Sequence, residues 1–285
     1  MLFLSHHSAA DGSVAVGASA LAALTSGAGN LAIGFRASDL LSTGNRNIAI
    51  GQDAFGLATT TTSDNIAIGY SAMGTMNNTG SLKNVAIGNY ALDDTGTNAQ
   101  VGTVAIGYNA LTALTSGGAN TAVGYEALKT EDAGGSNVAI GYQSLTLCNN
   151  DTGANVAVGR SSGAAIVAGY SNTLVGNGAG SSLTGGTNNV LLGRNAQASA
   201  VGGINQIVLG KDTTGVADNS VTLGNADVDH VYAAWDSVDT AAGVVTGAIL
   251  HAKDIATTDG VLKENLITNS GFDVWSNSTL EPCGS

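Results

Sequence analysis

The sequence predicts an all-β chain, a parallel β-roll or β-solenoid of about thirteen coils of 17–19 residues each, and three observations predict it. A pentapeptide of the form Asn-[Val/Ile/Leu]-Ala-[Val/Ile]-Gly recurs along most of the chain. Its glycines, Gly17, Gly34, Gly51, Gly69, Gly88, Gly107, Gly124, Gly141, Gly159, Gly176, Gly193, Gly210 and Gly224, stand 17 to 19 residues apart until a last step of 14. The composition agrees: 41 glycines, one proline, 11% charged residues and a 44% apolar content carried by Ala, Val, Ile and Leu suit regular stacking of small and β-branched side chains. A helical reading fails, because glycine returns in every unit and β-branched residues dominate the motif.

Each position of the unit has a physical reading. Four places before the glycine stands Asn30, Asn47, Asn65, Asn84, Asn120, Asn137, Asn155, Asn172 or Asn189, with Ser, Thr or Gln in the other copies. Stacked at the strand spacing of about 4.8 Å, these side chains are expected to bond from coil to coil as a structural ladder. The three residues that follow, as in Ile48-Ala49-Ile50, alternate faces in a strand. The large first and third residues are expected to fill the roll. The middle one, Ala from Ala15 through Ala157 and then Leu174, Leu191, Val208 and Thr222, is expected to form an outer apolar face that another copy of the chain covers. The glycine turns the corner at positive φ. Three and four residues later come Ala54-Phe55, Ala72-Met73, Ala91-Leu92, Ala110-Leu111 and Ala127-Leu128, which read as a short return strand. The remaining Thr, Ser, Asn, Asp and Gly are turn chemistry and absorb the variation in period.

This reading divides the chain into an N-terminal tail at 1–11, a β-roll repeat domain at 12–225, capping strands at 226–262 and the start of a β-sandwich-like module or docking tail at 263–285. The capping strands are read from His230-Val231-Tyr232-Ala233-Ala234-Trp235 and Gly243-Val244-Val245-Thr246-Gly247-Ala248-Ile249-Leu250.

Little in the sequence speaks of catalysis. There is no GxSxG, P-loop, HExxH or EF-hand loop, and His6, His7, His230 and His251 all lie outside the repeats. The expectation is a chain that is not an enzyme, with no catalytic, cofactor-binding or metal site. Cys148 and Cys283 lie far apart with no CxxC or CxxH neighbour. The acidic pairs Asp93-Asp94 and Glu131-Asp132 read as solvated turns. A net charge of −12 repels phosphate backbones and anionic head groups, so neither nucleic acid nor membrane insertion is expected. The start, Met1-Leu2-Phe3-Leu4-Ser5-His6-His7, shows no basic region followed by an apolar stretch, which reads as a soluble chain.

One feature rises above scaffold. The residue after the motif glycine is aromatic at Phe35, Tyr70, Tyr108, Tyr125 and Tyr142, the last three in consecutive coils. Tyr108, Tyr125 and Tyr142 are therefore a candidate glycan-binding platform, set against plain ring-on-ring packing between coils.

The pentapeptides, quoted as Asn65-Ile66-Ala67-Ile68-Gly69 and Asn137-Val138-Ala139-Ile140-Gly141, resemble the head repeats of trimeric autotransporter adhesins and related repeats in bacteriophage tail fibres. The resemblance implies a left-handed roll and a homotrimer. A period longer than the adhesin norm, with no secretion signal, membrane-barrel strands or heptads, looks more like the phage fibres. The expectation is thus a structural fibre protein of a bacteriophage virion, a tail fibre or fibre segment. It would form a rigid trimeric rod for host attachment or receptor display, with other virion tail or fibre proteins and a host surface glycan or protein as partners. The head domain of a bacterial cell-surface adhesin is the alternative. An ice-binding solenoid is a third reading, weakened by the lack of repeated Thr-x-Thr ranks.

Overall fold

The computed structural model describes residues 12–57, 62–76, 80–93 and 100–228, together with the backbone of Leu2 and Phe3. The capping strands and sandwich-like module expected beyond 228, all four histidines, Cys283 and Asp94 lie outside the described residues.

The chain winds as a β-solenoid. Thirteen strands of three residues, from Val14–Val16 to Val221–Leu223, stack in chain order into one parallel sheet of about twelve turns. Register never slips: each first motif residue pairs with the first of the next coil, as Val138 does with Val156, and each middle Ala with the next, as Ala105 does with Ala122. Leu2–Phe3 pairs antiparallel with Val14–Val16 at the first edge of the sheet. At the strand spacing of about 4.8 Å the stack is on the order of 60 Å long.

The faces of the sheet are the reverse of the sequence expectation. The middle residue points into the lumen and is buried from Ala15 through Val208, whereas the flanking Val, Ile and Leu are half-buried or exposed. The reason is volume. In the six coils from Ala49 to Ala139 the middle Ala shares the lumen with a large buried side chain from the turn four residues after the glycine, Phe55, Met73, Leu92, Leu111, Leu128 or Leu145, whereas the coils of Ala32 and Ala157 carry Ser38 and Gly163 there. A second inward column seven residues after the glycine, with Leu24, Leu41, Met76, Leu114, Ile166 and Leu183, fills the rest. Interiors pack to near-crystal density, so only a methyl fits opposite these residues. Where the strand residue grows to Leu174 and Leu191, the turn residue shrinks to Gly163 and Gly180. A Cβ added at Gly163 would lie 2.8 Å from a Leu174 methyl, and one at Gly180 would lie 2.9 Å from the other. Volume is conserved across the lumen.

No return strand forms at the Ala-Leu pairs. The residues two and four places after the glycine both take left-handed φ, as in Asp53 at 55° and Phe55 at 56°, or Asn109 at 53° and Leu111 at 51°. Two such residues flanking one Ala turn the chain back within a few residues, too tightly for an extended segment. Outside the main sheet, parallel pairing among the described residues is limited to isolated bridges such as Leu82 with Val101 and Gln197 with Thr214.

The corner glycine is obligatory. Gly107 has φ of 139°, and a Cβ there would stand 2.2 Å from the carbonyl oxygen of Gly124 in the next coil.

Candidate functional surface

The asparagines line the inside of the corner that leads into each strand and are buried. The Oδ1 of Asn155 accepts from the backbone N–H of Asn172 at 3.1 Å and from its Nδ2 at 3.1 Å. The same Nδ2 of Asn172 donates to the carbonyl of Gly186 at 2.8 Å. The bond from each backbone N–H to the preceding Oδ1 repeats from Asn30 through Asn47, Asn65 and Asn84, and again from Asn120 through Asn137, Asn155, Asn172 and Asn189, while Asn137 Nδ2 is buried without a partner among the described residues. Thr103 joins the two runs only in part: its N–H donates to Asn84. Every one of these groups is turned inward, so the ladder offers nothing to a ligand.

Glu131 is not a solvated turn residue. It occupies the inward column between Leu114 and Cys148, fully buried, and its Oε1 accepts from the N–H groups of Gly134 at 2.7 Å and Ala133 at 3.3 Å. Counting seven residues from Gly124 finds that register, a signal the acidic pair alone hides. The neighbouring Cys148 thiol is buried and accepts from Asn150 Nδ2 at 3.2 Å. Burial, reinforced by the charge of Glu131, pushes this thiol far above its usual range, which keeps it protonated and inert. Asp132, next in sequence, is half-buried.

Two surfaces face outward. The first is the outer side of the sheet, where the first and third motif residues form two parallel columns, such as Ile48, Ile66, Val85, Val104 and Ile50, Ile68, Ile87, Ile106. Neither column contains a charged residue along its whole length. Exposure reaches 37% at Ile87, 39% at Ile140 and 47% at Leu192.

The second is the column just past the corner glycine. Tyr108, Tyr125 and Tyr142 are exposed and parallel, with ring centroids 5.5 and 5.1 Å apart and interplanar angles of 11° and 8°. Coplanar rings would interpenetrate at that separation, so the rings overlap face to face with an offset. The faces of Tyr125 are turned to its neighbours, and ring edges and phenol hydroxyls meet solvent. The sequence reading missed Tyr90. It stands two places after Gly88 yet reaches into the column, edge-on to Tyr70 at 5.2 Å and to Tyr108 at 6.0 Å. Partial burial and its neighbour Tyr70 raise its phenol pKa. At the other end the Arg160 guanidinium lies 5.9 Å over the Tyr142 ring. Beside Tyr125, Glu126 takes bonds from Lys129 at 2.8 Å and from Gln143 at 2.9 Å, which hold its carboxyl below the usual range. The charge of Glu126 in turn raises the Tyr125 phenol.

Among the described residues no group of three or more His, Cys, Asp or Glu is placed to hold a metal ion. Nor, among the described residues, is any helix long and apolar enough to cross a membrane. No protein-family model, curated protein or solved structure matches the chain.

Proposed function

We propose that this chain is a structural fibre protein of a bacteriophage virion, a tail fibre or fibre segment in which three left-handed rolls associate as a rigid rod for host attachment or receptor display. The observation that carries the reading is the pair of charge-free Val/Ile columns on the outer side of the sheet. The third-residue column is apolar in all thirteen strands and the first-residue column is broken only by Thr121 and Thr173, and an apolar strip of that length is a surface that other chains cover. A second copy with the same period matches it coil for coil, and a closed symmetric set of chains leaves no column open. The interface of this proposal is thus the Val/Ile face, since the alanines are consumed by the lumen. The absence of catalytic motifs agrees with a structural role.

The final motif spacing of 14 residues, from Gly210 to Gly224, favours a second reading as the head of a bacterial surface adhesin, whose repeats are short. The two readings differ in location. Peptides of this chain in purified virions, and flanking genes for baseplate or tail proteins, support the fibre. Recovery in the outer-surface fraction of uninduced cells, with a membrane anchor encoded in the same gene, overturns it in favour of the adhesin.

A further inference from the structure

The column past the corner glycine continues beyond the tyrosines in perfect register. The carbonyl of Tyr108 accepts from Glu126 N–H at 2.9 Å, that of Tyr142 from Ser161 at 2.8 Å, that of Arg160 from Gly178 at 2.9 Å and that of Arg194 from Asp212 at 2.7 Å. Tyr108, Tyr125, Tyr142, Arg160, Arg194 and Lys211 therefore lie on one line, with Asn177 between the two arginines, each a coil above the last. One half of the line is aromatic and the other basic, on a chain whose net charge is −12. Arg160 has no carboxylate partner among the described residues, while Arg194 and Lys211 share one, Asp212, at 2.7 and 3.4 Å. The line carries more positive than negative charge.

We propose that this line binds an acidic polysaccharide, its carboxylates on Arg160, Arg194 and Lys211 and its hydroxyls on the tyrosine row. A straight site seven coils long, roughly 30 Å at the strand spacing, suits an extended polymer better than a compact ligand. Guanidinium groups pair with carboxylates in bidentate fashion. Phenol hydroxyls at regular intervals both donate to and accept from sugar hydroxyls, and the ring edges between them are apolar. Single-stranded nucleic acid is the poorer fit, because bases need open ring faces to stack on and the tyrosine faces close on each other.

Binding to the isolated, purified chain tests this without reference to any virion, so a failure of the fibre reading leaves the test standing. Immobilised protein is titrated with polygalacturonate, neutral dextran and polyglutamate. The expected result is polygalacturonate binding that weakens about tenfold or more in the R160A/R194A double variant. Replacing Tyr108, Tyr125 and Tyr142 together by Phe keeps the stacking and removes the hydroxyls. This variant binds several-fold more weakly with an unchanged unfolding midpoint. R46A, a basic residue off the line, binds as the parent does. The proposal is overturned by no polygalacturonate binding, by equal binding of dextran or polyglutamate, or by an equal loss in R46A.

Discussion

At Gly107 a single hydrogen atom decides whether two coils can stack. Gly107→Ala places a methyl against the Gly124 carbonyl at a φ of 139°, and the cost of strain and clash is about 2 kcal/mol or more. Gly185→Ala, where a Cβ meets nothing within 4 Å, shifts stability by less than about 0.5 kcal/mol. Unfolding midpoints of the two variants measure the contrast. Asn172→Ala strands the backbone N–H of Asn189 and the carbonyl of Gly186, both buried behind the corner, and costs about 1–3 kcal/mol by the same measurement. These two positions were legible in the sequence because glycine and asparagine recur where geometry leaves no substitute. Glu131 was hidden for the opposite reason. Its inward place is defined only by distance from the preceding glycine, and its partners Leu114, Cys148 and Ile166 share no residue type with it.

Alternation told the two sides of each strand apart, yet it left open which side faced inward. Large apolar residues on one side and alanine on the other fit either arrangement until the turn is known. The turn was the missing element, because residues such as Leu111 and Leu128, at φ of 51° and 50°, carry no compositional mark of left-handed backbone. Their side chains occupy the lumen and so dictate alanine opposite. One trace was present in the sequence: Gly163 and Gly180 appear in the turns beside Leu174, the first coil whose middle residue is large. The two faces therefore respond oppositely to the same substitution. Ala105→Lys forces a charge into a filled lumen and is expected to abolish cooperative folding. Ile106→Lys, on the outer side, leaves the circular dichroism spectrum intact and acts on self-association instead. Similar losses of folded signal in both variants would contradict this assignment.

Across the whole stack, coils are tied by repetition, with a few ionic links added at the surface. Arg46 bonds Asp64 in the next coil at 2.6 Å, and Arg194 bonds Asp212 at 2.7 Å, and both carboxyls sit below their usual range through those bonds. A depressed carboxyl contributes stability above its unfolded value that is lost as pH falls through the folded one. The unfolding midpoint is therefore expected to decline as pH drops below about 4, and Asp64→Asn to flatten part of that decline. The parallel solenoid was readable from period alone, but the return strand expected in each coil does not form and a single continuous sheet remains. The face expected to meet a second copy was the alanine face; the proposed contact moves to the Val/Ile face, where side chains as exposed as Leu192 line an uncharged strip. The most direct test of this account is the mass of the native chain by sedimentation equilibrium. It predicts a particle of three chains that dissociates in Ile106→Lys, whereas a stable monomer with its Val/Ile columns open to water would contradict it.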